Sequence, residues 1–114
     1  VSATTYGFYD ADDTCIGYAQ EQAVKGGSGG YYICYMDADG NPKDYYSNEE
    51  ATQTYDSEGN LIATGTVDFN GFFESQHCYV EITAEEDSTM QMDFMDKMAM
   101  YLYLFSDFNS EHLD

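Results

Sequence analysis

The chain alternates between short stretches of β-branched and aromatic residues and turns rich in Asp, Asn and Gly. The stretches run over 6–9, 14–18, 31–36, 43–46, 51–55, 61–69 and 72–82. The turns between them contain Asn-Gly and Asp-x-Gly-Asn segments, which supply the positive-φ positions that tight hairpins require. This rhythm predicts an all-β fold, an antiparallel meander of about eight strands that forms a small barrel or sandwich.

The C-terminal third fits two interpretations. Apolar residues alternate with other residues along 90–94 and 98–104, which indicates one more hairpin with a turn at 95–98. Met, Leu, Ala and Lys favour a helix instead, and Ser88 and Gln91 have the spacing of a capping box. Because the period of two fits more residues, we favour strands. An α+β fold with a C-terminal helix over 88–105 is the alternative, and on that helix one face would carry Met95, Met98, Leu102 and Phe105.

The length and the apolar content predict one folded domain. The chain has 114 residues, of which 43% are hydrophobic and 17% aromatic, so it can bury a core. The domain spans 1–114, with a flexible Gly-rich loop at 26–30 that is either natural or an introduced linker. The predicted core consists of Ile33, Ile62, Val67, Val80, Ile82, Met92, Phe94, Leu102 and Leu104.

The charge limits the possible partners. The chain has 22 acidic residues, three lysines and no arginine, which gives a net charge of −19. Such a surface cannot neutralise a row of phosphates, so nucleic acids and anionic membranes are excluded as partners. No apolar stretch approaches the roughly 20 residues that span a bilayer. The composition therefore favours a secreted or extracellular bacterial domain, whose partner is a small molecule, a glycan or a protein of basic character.

Cysteine and methionine suggest metal chemistry only weakly. Cys15, Cys34 and Cys78 allow one disulfide or serve as small buried hydrophobes, and without a C-x-x-C motif they do not indicate zinc. Five of the six methionines lie within 90–100, a spacing that brings thioethers to one Cu(I) ion, with His77 and His112 as further ligands. Methionines also fill irregular core space or line an apolar pocket, and we favour this second interpretation.

The acidic turns raise the question of calcium. Asp37, Asp39 and Asn41 alternate so that three oxygens face one cation, and Gly40 allows a sharp bend. The twelfth position of an EF-hand loop requires Glu, however, and here it is Asn48. These residues therefore predict at most a weak calcium site, and no other cofactor is expected. We also expect the repulsion among carboxylates to make stability depend on salt, pH or divalent cations.

Nothing in the sequence indicates catalysis. A Ser or Cys nucleophile needs a His base, and His77 beside Cys78 would point to the opposite face of a strand. The protein is therefore predicted not to be an enzyme.

The predicted function is that of a secreted non-catalytic binding domain, which recognises a small apolar molecule, a glycan or a protein through Tyr, Phe and Met. Tyrosine buries a large ring and keeps a hydrogen-bonding end. The candidate ligand-binding residues are Tyr31, Tyr32, Tyr35, Tyr45 and Tyr46. One alternative is an acidic inhibitor or immunity-type protein that occupies the basic groove of a nucleic-acid enzyme. A second alternative is a calcium- or copper-binding domain.

Overall fold

One antiparallel sheet and one helix make up the fold. The computed structural model describes the backbone of 4–24, 30–72, 75–88 and 90–112 and the side chains of 4–24, 30–68, 79–88 and 90–106. The strands are hydrogen-bonded in chain order and curl into a half-barrel, which confirms the predicted all-β meander. The elements are β1 (Thr5–Tyr9), β2 (Cys15–Ala23), β3 (Tyr31–Asp37), β4 (Pro42–Asn48), β5 (Gln53–Asp56), β6 (Leu61–Phe72), β7 (Ser75–Ala84) and α1 (Phe94–His112).

Local turn chemistry explains three of the hairpins. Asp10, Asp37 and Asp56 each begin a turn, and one carboxylate oxygen of each accepts backbone N–H groups two and four residues ahead, over 2.8–3.0 Å. Gly40 and Gly59 take φ of 83° and 87° in two of these turns, a region that favours glycine. Backbone hydrogen bonds also lower the pKa of Asp37 and Asp56 below the ordinary value. The acidic turns therefore shape the hairpins.

The core lies between the inner face of the sheet and α1. The sheet contributes Ala19, Ile33, Tyr35, Tyr45 and Ala63, and α1 covers them with Ala99, Met100, Tyr103 and Leu104. A glycine allows the close approach, because a Cβ atom at Gly65 would lie 2.7 Å from Leu104 Cδ1. The Tyr103 hydroxyl lies 3.0 Å from the carbonyl oxygen of Thr4 and 3.1 Å from that of Ala19. These contacts hold α1 along the first two strands as well as the later ones.

The strand interpretation of 90–104 is wrong, and the helix alternative is confirmed. The helix begins at Phe94 rather than at residue 88 and extends to His112, so the sheet has seven strands instead of about eight. The physical reason is the curled sheet, whose apolar inner face needs a cover that one more hairpin in the same sheet would not supply.

The helix also changes the predicted core. Ile33, Ile62, Met92 and Leu104 are buried, and Val67, Val80 and Ile82 pack against them. Phe94 and Leu102 are exposed, so their placement in the core was wrong; α1 turns both away from the sheet.

The structure describes two of the three cysteines and only part of the Gly-rich segment. Cys15 and Cys34 carry free thiols, and burial raises the pKa of the Cys34 thiol. The side chain of Cys78 lies outside the described residues, as do 26–29 of the Gly-rich segment. Among the described residues, no helix has the length and apolarity that crossing a bilayer requires.

Candidate binding surface

Three tyrosines form a row on the outer face, the side of the sheet opposite α1. The ring centroids of Tyr32 and Tyr46 lie 6.0 Å apart at an interplanar angle of 83°, and those of Tyr46 and Tyr55 lie 5.9 Å apart at 34°. Strand pairing explains the row, since Tyr46 on β4 stands opposite Tyr55 on β5, while Tyr32 on β3 lies diagonally across from Tyr46. We call Tyr32, Tyr46 and Tyr55 the tyrosine ladder.

Glutamine side chains hold the ends of the ladder. The Tyr32 hydroxyl donates to Gln22 Oε1 over 2.9 Å, and the Tyr55 hydroxyl donates to Gln53 Oε1. Each glutamine is a neighbour on the same face, because Gln22 pairs with Tyr32 across the strands and Gln53 lies two residues before Tyr55. The two end rings are therefore held by adjacent side chains on the same face, and the Tyr46 ring packs between them.

The glutamine row continues across β2 to β1. Gln22 Nε2 donates to Gln20 Oε1 over 3.2 Å, and Gln20 Nε2 donates to Thr5 Oγ1 over 3.2 Å. Beside the ladder, an open groove of about 460 Å³ is lined by Val24, Tyr32, Tyr46 and Ser57. None of these lining side chains is charged. The ladder and its glutamine neighbours thus combine aromatic rings with uncharged hydrogen-bonding groups.

The other predicted tyrosines occupy different places. Tyr35 and Tyr45 are buried on the inner face, where their rings lie 5.7 Å apart. The Tyr35 hydroxyl shares a 2.7 Å hydrogen bond with Ser47 Oγ, and burial raises its pKa. Tyr31 begins β3 opposite Ala23 and is half-buried. The structure therefore brings Tyr32 and Tyr46 together, adds Tyr55, which the sequence analysis missed, and places Tyr35 and Tyr45 in the core.

A buried ion pair fastens the start of α1 to β4. Asp96 is fully buried, and its Oδ2 accepts hydrogen bonds from Lys43 Nζ over 2.7 Å and from the Tyr45 hydroxyl. Lys43 also binds the exposed Asp93 over 2.8 Å. The other carboxylate oxygen of Asp96, Oδ1, has no hydrogen-bond partner in the described part of the chain. The cluster is closed to solvent on its Asp96 side, so its evident role is to hold the helix.

Burial and charge act against each other in this cluster. Burial raises the pKa of Asp96, and the hydrogen bonds from Lys43 and Tyr45 offset only part of that rise. Burial alone would lower the pKa of Lys43, but the two carboxylates outweigh it and the pKa is raised. Burial, followed by the contact with Asp96, raises the pKa of Tyr45. Each of these groups therefore depends on its partners to remain in the core.

Metal binding stays a prediction. Asp37, Asp39 and Asn41 lie in the β3–β4 turn, where Asp37 Oδ1 is already occupied by the backbone N–H groups of the other two. The described residues contain no group of three or more His, Cys, Asp or Glu side chains placed to hold a metal ion. The clustered methionines are divided, since Met100 is buried under the sheet and Met98 is exposed. The side chains of His77 and His112 lie outside the described residues.

Acidic residues gather at one end of the sheet. In a meander, the β1–β2, β3–β4 and β5–β6 turns lie at the same end, together with the segment that follows β7. One groove at this end is lined by Asp56, Glu85 and Asp87, and another is lined by Asp37 and Asp93. We call this end the acidic rim; its carboxylates belong to Asp10, Asp12, Asp13, Asp37, Asp39, Asp56, Glu58, Glu85, Glu86, Asp87 and Asp93.

Comparison with known proteins finds no matching family model, no matching curated protein and no matching solved structure. The function is therefore argued from the chemistry of these surfaces.

Proposed function

We propose that this domain is a secreted, non-catalytic module that binds a neutral glycan on its outer face. The single observation that carries the proposal is the tyrosine ladder, whose two end rings are oriented by hydrogen bonds to glutamine and whose central ring, Tyr46, packs between them. Rings fixed in this way lose little conformational entropy on binding, which favours affinity. An aromatic ring offers a flat apolar surface against which the C–H face of a sugar packs.

The polar neighbours suit the hydroxyl groups of a sugar. Gln20, Gln22 and Gln53 each carry an amide that both donates and accepts hydrogen bonds. A binding site usually combines apolar area with a few such groups, which set the orientation of the ligand. The glutamines beside the ladder are therefore the expected source of specificity.

Charge favours a neutral glycan over an acidic one. The chain carries a net charge of −19, and the described side chains that line the groove beside the ladder are uncharged. Lys43 is engaged by Asp93 and Asp96 on the far side of the sheet. A uronate-rich polymer would therefore be repelled by the net charge of the protein.

The inner face is less suited to a small apolar ligand. In a β-barrel such a molecule would lie inside the curved sheet, but here α1 fills that space with Ala99, Met100, Tyr103 and Leu104. The outer face is accordingly the better candidate surface.

The test is binding of neutral oligosaccharides to the ladder. Hexasaccharides of β-1,4-glucan and β-1,4-mannan are titrated into the protein by calorimetry, with polygalacturonate as the acidic comparison. We expect a neutral sugar to bind and Tyr46→Ala to weaken it at least about tenfold, or about 1.4 kcal/mol. The matched control is Tyr9→Ala, an exposed tyrosine on β1, which should bind normally. Equal binding by wild type and Tyr46→Ala would refute the proposal.

A second candidate function, the acidic inhibitor that occupies a basic groove, is supported by the acidic rim. Hairpins two strands apart lie about 10 Å from one another, so the rim presents several carboxylates along one edge. A protein with this function would contact its partner through the acidic rim and not through the outer face. Binding of such a partner should therefore be unaffected by Tyr46→Ala, which separates the two candidates.

A further inference from the structure

The side of α1 that faces away from the sheet is apolar. Phe94, Met98, Leu102 and Phe105 are 78%, 42%, 41% and 47% exposed, and they account for four of the eight large exposed hydrophobic residues in the described part of the chain. Their spacings of four, four and three residues place them on one side of a helix. We call these four residues the helix stripe. The opposite side of the same helix already forms the core.

The stripe is unusual for a helix on a protein surface. Such a helix normally buries one apolar side and presents polar residues to water, whereas α1 is apolar on both sides. Contiguous exposed apolar residues of this kind mark interaction sites. Met and Phe suit a partner surface of variable shape, since the methionine side chain adapts to different neighbours. From Phe94 to Phe105 the stripe extends about 16 Å, enough for three turns of a partner helix.

Charge selects the kind of partner. The acidic rim ends at Asp93, directly before Phe94, and Asp93 shares a groove with Asp37 of the rim, so the stripe begins next to the rim. A second copy of the chain would bring another net charge of −19 to the contact, and an anionic membrane would be repelled in the same way. A cationic partner with an apolar side would not be repelled by the negative charge of this protein.

We infer that the helix stripe is a docking surface for a basic amphipathic helix of a partner protein. The apolar side of that helix packs on Met98 and Leu102, and its Lys and Arg residues at one end approach the acidic rim. Amphipathic helices bind grooves and surfaces in this manner, and complementary charge speeds and orients their association. The inference goes beyond glycan binding, because the stripe lies on the opposite side of the sheet from the tyrosine ladder.

The test uses three synthetic peptides of about 16 residues. The first has leucines at every third or fourth position and lysines elsewhere. The second has the same composition with the leucines scrambled, and the third has Glu in place of Lys. Each is labelled and titrated with the full chain in about 0.15 M NaCl, with fluorescence anisotropy as the readout. We expect the first peptide to bind at least about tenfold more tightly than the second, and the third not to bind.

Protein variants locate the contact. Met98→Gln with Leu102→Gln should weaken the first peptide at least about tenfold without changing the protein charge. The matched control is Ile16→Gln, since Ile16 is 42% exposed like Met98 but lies on β2. Circular dichroism confirms that each variant is folded. The inference is overturned if the scrambled peptide binds as tightly, if Ile16→Gln has the same effect, or if sedimentation shows a wild-type dimer that the double variant dissociates.

Discussion

Replacing Lys43 with Met tests whether the buried ion pair holds α1 on the sheet. The change removes an ammonium group 2.7 Å from Asp96 Oδ2 and keeps a side chain of similar length. Asp96 is fully buried, and its Oδ1 already lacks a hydrogen-bond partner among the described residues. In the variant only the Tyr45 hydroxyl remains to stabilise its charge. A buried carboxylate without a counterion is strongly destabilising.

The magnitude follows from the burial of the two partners. Removing one member of a buried ion pair typically costs about 3–5 kcal/mol. The Lys43 side chain is 14% exposed and shares its charge with the more exposed Asp93, so we expect the lower end, about 3 kcal/mol. The entropy of unfolding is about 2.1 cal/mol/K per residue, so for 114 residues 1 kcal/mol corresponds to about 4 °C in Tm. The expected fall in Tm is therefore about 12 °C.

Thermal and urea unfolding at pH 7 measure the effect. Lys97→Met is the matched control, because Lys97 also lies on α1 and forms no ion pair within the described residues. The double variant Lys43→Met with Asp96→Leu should recover most of the lost stability, since it leaves no unpaired buried charge. A Lys43→Met variant within 1 kcal/mol of wild type, or equal to Lys97→Met, would refute this account of the cluster.

The pH dependence supplies a second readout of the same variant. Without Lys43, burial raises the pKa of Asp96 still further above its unfolded value of 3.8. Between the unfolded and folded values the folded state holds the extra proton, so its stability increases as the pH falls. The difference in stability between Lys43→Met and wild type should therefore shrink from pH 7 toward pH 5. A constant difference would show that the lost stability does not come from the charge of Asp96.

Two further predictions concern the core. Gly65→Ala places a Cβ atom 2.7 Å from Leu104 Cδ1 and 3.0 Å from the Ala51 carbonyl oxygen, so we expect a loss of about 1–3 kcal/mol in urea unfolding. Gly7→Ala, whose nearest neighbour is the end of the Tyr9 side chain at 3.2 Å, should cost less, and the reverse order would contradict the packing. The second prediction concerns stability at alkaline pH. Burial raises the pKa of Tyr35, Tyr45 and Tyr103 above the unfolded value of 10.0. The unfolded chain then loses protons that the folded chain keeps, so stability should fall above pH 10 by about 1.4 kcal/mol per pH unit for each tyrosine, whereas a flat profile of unfolding midpoints would contradict their burial.

The sequence was most informative where structure depends on neighbouring residues. An Asp followed within a few residues by Gly and Asn forms a turn through its own backbone contacts, and the hairpins that begin at Asp37 and Asp56 have that geometry. The meander follows from a series of such turns. The end of the chain required tertiary information, because Met and Leu at 92–104 fit both periods and the uncovered inner face of the sheet favours the helix.

The tyrosine ladder was only partly predictable from the sequence, because the strand register decides which tyrosines share a face. In the pairs Tyr31-Tyr32 and Tyr45-Tyr46, adjacent strand residues point to opposite faces, so only one member of each pair can reach the outer face. The sequence does not show which member, because both faces of the sheet contain aromatic residues. Register irregularities between β3 and β4 and between β5 and β6 add to the uncertainty. The third member, Tyr55, becomes recognisable only when its pairing with Tyr46 is known.

The number of strands determines how charge and apolar surface are combined. The meander has seven strands, which is an odd number. The chain therefore leaves β7 at the same end of the sheet as the β1–β2, β3–β4 and β5–β6 turns. The acidic segment after β7 therefore joins the acidic rim, and α1 starts there with Phe94 exposed beside Asp93. With an even number of strands, the helix would start at the opposite end of the sheet, far from these turns. Half of the 22 acidic residues are thus gathered at one end of the sheet, next to the helix stripe, whereas the described side chains that line the groove beside the tyrosine ladder are uncharged.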